Sequence, residues 1–404
     1  MSRAPEAAAR PRLVTPAFAA LAAATLAFFI AGGLVLPIAP RFAKLALGAD
    51  ALGFGIAMGA FSVASLVLRP VVGWASDRFG RRPLLLGGAL LNVLALGLHL
   101  LVADLATFTA VRALLGVAEG FFLVAAFAAA SDIAPEARRG EAISFLSLSL
   151  YLGLAIGPPV AELVLGAGSY PAVWLAAGAL AVVAVALVLL IPESAPAVIE
   201  SAGGRRSRLI HPAGIFPGLV IVLGLCGMAA FLTFVPLYAP AVGMDGAGLP
   251  LAIYALIVVA LRIVGATWPD RFGAARLSSA ALALSAVGLT VIGSFASPMG
   301  LLLGTVVFAA GVAFTMPALI ALAVSRVSPT ERGSVVGTTT IFLDVVFGIA
   351  PAGLSLIADA AGHGIMFLVS AALAGVAAAL LASRRRRLEA EASARSAAPA
   401  VTTG

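Results

Sequence analysis

Apolar residues in this chain come in stretches of about 20, parted by short segments where Arg, Asp, Gly and Pro gather. A bilayer core of ~30 Å takes roughly 20 helical residues at about 1.5 Å each. Runs of that length fall at 17–37, 51–72, 84–103, 105–130, 142–166, 171–191, 214–238, 248–267, 277–296, 299–325, 334–358 and 363–382. The pattern predicts an all-α integral membrane protein of twelve transmembrane helices. Strands are excluded because in lipid each backbone N–H and C=O must find its partner within its own segment. The narrowest separation lies at Ser297 and Pro298, between the ninth and tenth runs. Arg3, Arg10 and Arg12 precede the first run as they would in a secretory leader. That run is longer than the ~7–15 residue apolar region of a leader, so it is read as a retained span.

Charge then fixes an orientation. Of the 25 Lys and Arg residues, all but Arg41, Lys44, Arg69, Arg112 and Arg262 fall in the two tails or in the even-numbered connections. Basic residues stay on the cytoplasmic side of a membrane protein, so both termini are expected there, in a cell membrane. An odd number of spans would scramble this asymmetry. Composition agrees: of 404 residues, 62% are hydrophobic and 11% charged, and the mean hydropathy is +1.13. Water-soluble domains carry about 25% charged residues, which excludes a soluble enzyme. The pI near 10.6 reflects topogenic clusters, without the contiguous basic stripe a nucleic-acid surface needs. Cys226 lies alone in an apolar run, and His99, His211 and His363 are scattered, so no disulfide, metal site or cofactor is expected.

The chain repeats itself. Arg69-Pro-Val-Val-Gly-Trp-Ala-Ser-Asp77-Arg78-Phe79-Gly80 returns 193 residues later as Arg262-Ile-Val-Gly-Ala-Thr-Trp-Pro-Asp270-Arg271-Phe272-Gly273, and the same displacement relates Arg139-Gly140 to Arg332-Gly333 and Pro158 to Pro351. Two six-helix, pseudo-symmetric halves are therefore expected at 17–191 and 214–383, joined by a linker at 192–213. A tail at 1–16 and an Arg-rich tail at 384–404, the latter without fixed structure, flank them. Gly73 permits close helix approach, Gly80 permits a positive φ, and Asp77 is an anion able to cap a helix or pair with Arg81.

Gly73-Trp-Ala-Ser-Asp77-Arg78-Phe79-Gly80-Arg81-Arg82-Pro83, between the second and third spans, resembles the signature loop of the major facilitator superfamily, and the likeness covers essentially the whole chain. The resemblance implies that fold, a substrate site between the halves and alternating access by rocking. It also implies that Asp77, with Gly73, Gly80, Arg81 and the repeat's Asp270, acts as a conformational switch.

Ionisable side chains inside a bilayer cost roughly 2.5–3.5 kcal/mol each on insertion scales, so each needs a reason. Arg112, Glu119, Glu162 and Asp344 lie well inside the spans, while Arg69 and Arg262 sit near span ends and can snorkel. Arg112 and Glu119, seven apart, share a helix face about 10 Å apart along the axis. Arg112-Ala-Leu-Leu-Gly116-Val-Ala-Glu119-Gly120 resembles the superfamily's fourth-span motif, with Leu115 where Gln is common. The resemblance associates Arg112 with proton coupling; pairing with Glu162, at similar depth, is the structural alternative. Glu119 and Asp344 fall near the midplane in opposite halves. A carboxyl in low dielectric can change protonation near neutral pH, which makes Glu119 the first candidate proton carrier and Asp344 the second. For Asp344 the alternative is a hydrogen bond to a neighbouring helix, in keeping with its Thr-rich approach at Thr338, Thr339 and Thr340.

Gly153-Leu-Ala-Ile-Gly157-Pro158-Pro159-Val160-Ala161-Glu162 resembles the fifth-span motif associated with antiport, except that Ala161-Glu162 stand where that pattern has two glycines. Its small residues and prolines suit a helix seam. Phe28, Phe29, Phe122 and Phe231 are candidates for lining a cavity, with packing between helices as the alternative. Few polar side chains lie at mid-depth, which favours hydrophobic or cationic cargo over sugars. The expectation is a monomeric secondary transporter resembling drug:proton antiporters, exporting small solutes against protons. Proton-coupled or uncoupled uptake of a metabolite, and a non-transporting receptor or scaffold on the same fold, are the competing readings.

Overall fold

The computed structural model describes residue 13 and residues 15–135, 138–193, 211–265, 268–327 and 331–396. The expected N-terminal tail and most of the linker lie outside these, and all the regular structure among them is helical. The helices are α1 (Pro16–Arg41), α2 (Ala51–Phe79), α3 (Arg81–Leu98), α4 (Leu105–Ile133), α5 (Arg139–Ala167), α6 (Tyr170–Leu189), α7 (Pro212–Ala241), α8 (Gly248–Val264), α9 (Trp268–Phe272), α10 (Ala274–Ser294), α11 (Pro298–Val324) and α12 (Arg332–Ser396). Among the described residues ten helical stretches are long and apolar enough to cross a membrane, and α8 is a shorter apolar helix.

Local chemistry sets the ends. Thr15 accepts the Phe18 N–H with Pro16 in the first turn of α1, Asp50 accepts from Gly53 at α2, and Ser297 accepts from Gly300 at α11. Asp104 and Thr107 cap each other's backbone at α4. Gly80, at φ 93°, lets α2 stop and α3 begin with a single residue between them. These signals carry helices beyond the apolar runs, which mark what a bilayer would cover and not where the helix ends.

The runs at 334–358 and 363–382 fall in α12, which is two helices meeting at a kink where Gly362 takes φ 87° and ψ 161°. One difference from expectation lies beyond them. The tail expected to lack fixed structure is helical as far as Ser396; Arg, Leu, Glu and Ala, which dominate it, are strong helix formers.

Packing joins α1 with α5 and α6, α2 with α4, α3 with α4 and α6, α7 with α12, α10 with α11 and α12, and α8 with α11. Further seams join α2 to α12, α5 to α8 and α1 to α7. The α1–α5 seam is backbone on backbone: a Cβ at Gly33 would lie 3.0 Å from both the Gly153 oxygen and the Gly157 Cα. Close approach of this kind replaces the hydrophobic drive that lipid cannot supply.

Candidate functional site

The intramembrane arginines define the site, and prolines decide where two of them bind. A proline has no N–H, so the carbonyl four residues before it in a helix loses its partner. Pro240 does this to Pro236 on α7, and the Arg41 Nε donates to the Pro236 oxygen at 2.8 Å. Pro317 does it to Ala313 on α11, and the Arg262 Nε donates to the Ala313 oxygen at 3.3 Å. Arg262 also lays its guanidinium 4.0 Å from the ring centroid of Tyr151 on α5.

Arg41 is 7% exposed and donates from Nη1 to the Glu162 Oε2 at 2.8 Å. The other Glu162 oxygen accepts the Ala247 N–H, just before α8, at 3.3 Å. Lys44 reaches Asp359 at 2.8 Å at the same end of the bundle. The Arg112–Glu162 pair, the structural alternative, is therefore not formed: α4 turns Arg112 toward α2, whereas α5 turns Glu162 toward α8.

Arg112 instead donates from Nη2 to the Met58 oxygen over a long 3.4 Å, with its guanidinium 5.1 Å from the Phe61 centroid. Its Nε is buried without a hydrogen-bond partner. Glu119 is half-buried on the same helix, and its charge bears on Arg112. Asp344 is half-buried on α12. Of the threonines before it, Thr338 Oγ1 accepts the His211 N–H at 2.8 Å, and Thr339 donates to the Val335 oxygen at 2.7 Å. The side chain of Thr340 lies outside the described residues.

At the opposite end of the bundle, Arg81 donates from Nη1 to the Ser76 oxygen at 2.6 Å and from Nε to Asp132 at 3.0 Å, tying the end of α2 and start of α3 to the end of α4. The Glu193 carboxylate accepts the Arg81 N–H at 3.0 Å, and Arg82 donates to the Leu189 oxygen at 2.8 Å. Gly73 and Asp77 fall within α2 and Asp270 within α9, but their side chains lie outside the described residues. Pro158 is buried within α5 beside the Gly153–Gly157 seam.

The four phenylalanines sit in helix packing. Phe28 stacks on Phe122 at 4.1 Å and meets Phe29 edge-on at 5.4 Å, while Phe231 packs against Tyr254 and Phe308 at 5.1 and 5.3 Å. Sequence reasoning missed Arg41, Lys44 and Asp359. The signal was present: Arg41 and Lys44 were the two basic residues in the odd-numbered connections. Among the described residues no three His, Cys, Asp or Glu side chains gather to hold a metal ion.

Long apolar helices, seams of small residues and arginines bound to proline-freed carbonyls define a multi-pass helical membrane protein built like a transporter. The family model of the Major Facilitator Superfamily matches residues 21–266 and 242–403. The chain belongs to that superfamily, and it is a secondary transporter of that type, a class that binds small-molecule substrates within the membrane. It is 28% identical over 378 residues to an uncharacterized MFS-type transporter of Salmonella typhimurium, covering 89% of this chain and 94% of that protein. With the uncharacterized MFS-type transporter YhhS of Escherichia coli K12 it shares 25% over 361 residues, 87% of this chain and 88% of YhhS. Among solved structures, the nucleoside transporter NupG superposes with a TM-score of 0.73 at 13% identity, covering 91% of this chain and 99% of that one. The inward-open xylose transporter XylE from E. coli gives 0.74 at 14% identity, with 90% and 94% covered.

Proposed function

We propose that this transporter has twelve spans in two six-helix halves, places both termini in the cytoplasm, and exports small hydrophobic or cationic solutes in exchange for protons by alternating access. Gly362 supports the count by parting α12 into the eleventh and twelfth spans, and the Arg asymmetry supports the orientation. The observation that carries the proton coupling is the sparse bonding of Arg112, on the same face of α4 as Glu119. A guanidinium with one long hydrogen bond and a buried, unpartnered Nε faces the charge of a carboxylate two turns along α4. A proton arriving at Glu119 leaves Arg112 with less counter-charge, and a proton leaving restores it. The protonation state thus changes the electrostatics at the helix that solute must pass. Asp344 is the second carrier. In this reading Asp77 and Asp270, with Gly73, Gly80 and Arg81, switch the cytoplasmic side between open and closed.

The test is flux in liposomes under an imposed pH gradient. The probes are ethidium as a lipophilic cation, and uridine and xylose as the solute types of the structural neighbours. Ethidium is expected to accumulate on the acidic side, and Glu119→Gln is expected to abolish the gradient-driven part while the protein stays folded. Equal gradient-driven flux in parent and Glu119→Gln would refute the assignment. Preferred movement of uridine or xylose would overturn the cargo class alone.

A further inference from the structure

We propose that Arg41 and Glu162 latch the outer gate of the transport cycle, so that their cross-seam bonds hold this side closed and their parting opens it. The inference rests on the alternating-access reading above and identifies which residues govern one of its gates.

Both residues belong to the first half, yet each binds a backbone group of the second half that its own helix leaves unsatisfied. Arg41 takes the Pro236 carbonyl, orphaned by Pro240. Glu162 takes the Ala247 N–H, at the head of α8, where first-turn donors have no helical acceptor. The 2.8 Å ion pair between the two side chains joins these bonds into one unit spanning α1, α5, α7 and the start of α8.

The sequence around the latch is fitted to it. Glu162 occupies the last position of the fifth-span motif, where the pattern it resembles has glycine. Room for the carboxylate comes from the other half: a Cβ at Gly246 would lie 2.8 Å from Glu162 Oε2, and one at Gly248 would lie 3.0 Å from its Cγ. Beneath the ion pair Phe54 of α2 meets Phe234 of α7 at 5.4 Å, and both rings are almost fully buried, so a dry layer backs the polar one. Lys44–Asp359, at 30% and 43% side-chain exposure, is the outer rim; exposed pairs of that kind contribute little.

Separation is possible because water in an open vestibule can replace each partner. The Pro236 carbonyl and the Ala247 N–H gain solvent when the halves part, and Arg41 can keep Glu162. Closed and open arrangements therefore differ by a few bonds, which is what a two-state gate requires.

The experiment places spin labels at Leu52 on α2 and Leu249 on α8, both about half exposed and outside the latch, in the full-length protein with Cys226 replaced by Ala. The inter-label distance distribution is measured in liposomes for the parent, Arg41→Ala and Glu162→Gln. The parent is expected to show mainly the short distance. Each variant is expected to raise the ratio of long to short distances about tenfold, and Lys44→Ala to change it less than twofold. If Arg41→Ala does not fold, Glu162→Gln, which keeps size and shape, carries the test. Distributions equal to the parent's in the folded variants would overturn the latch, as would a Lys44→Ala shift as large as theirs. Solute flux plays no part in this readout. A shifted distribution in a protein that moves no solute keeps the latch and sinks the transport reading, and an unshifted one in a working transporter does the reverse.

Discussion

Arg41 on α1 is buried and Arg112 on α4 half-buried, and each leaves one guanidinium nitrogen without a partner, Nη2 and Nε respectively, but their other bonds differ. Arg41 has a carboxylate at 2.8 Å and a proline-freed carbonyl at 2.8 Å. Arg112 has a carbonyl at 3.4 Å, the face of Phe61, and a buried Nε with nothing to donate to. A charge that is paired and hydrogen-bonded holds structure in place, and removing its partner exposes the full desolvation cost. A charge left short of partners is poised to respond when a proton or solute arrives. In the proposed reading the two divide the labour, Arg41 over the stability of one state and Arg112 over the response to protons.

Substitutions can break that division. The largest expected effect is Arg112→Ala, which should cut gradient-driven flux at least ~100-fold while thermal stability in detergent changes little; a large fall in melting temperature with flux preserved would reverse the roles. Glu162→Ala should act the other way. It strands Arg41 in a nearly dry site, and loss of one partner of such a pair costs about 3–5 kcal/mol, measurable as a lowered melting temperature.

Smaller effects sharpen the contrast between packing and chemistry. Gly157→Val pushes a side chain into the Gly33 backbone of α1, and overpacking of this kind costs roughly 1–3 kcal/mol; the expected signature is lower stability with the proton dependence of flux unchanged. The smallest effect belongs to Asp104, exposed at the head of α4. The Thr107 N–H donates to its carboxylate at 2.8 Å and holds its pKa below the usual value. Its contribution is present above the unfolded carboxylate pKa of about 4 and is lost as pH falls through the lower folded value. Asp104→Asn, which keeps an N-cap acceptor about as good as Asp, should flatten that acid-side slope and leave stability near pH 7 almost unchanged, as thermal melts between pH 3 and 7 would show.

What the sequence could and could not reveal follows from geometry. Apolar run length gives depth, because rise per residue is fixed, and so Glu119 and Arg112 could be placed on one face of one helix. Depth says nothing of azimuth. Arg112 and Glu162 share a level yet face different neighbours, and the true partner of Glu162 lies 121 residues away. The carbonyls that Arg41 and Arg262 bind were marked in the sequence by Pro240 and Pro317, four residues downstream, although which arginine would reach them was not. Gly80 was legible because a tight turn leaves a glycine behind; Gly362, between Asp359 and His363, did the same work and read as an ordinary gap between runs.

The central claim is that a proton at Glu119 is exchanged for solute, and the most direct measurement is proton movement caused by the solute itself. Parent and Glu119→Gln proteins are placed in liposomes loaded with a pH-sensitive dye, and ethidium is added outside with no imposed gradient. The account predicts a change in internal pH that scales with ethidium in the parent and a flat trace in Glu119→Gln. Equal pH responses from the two proteins, or ethidium entry with no pH response in the parent, would contradict it.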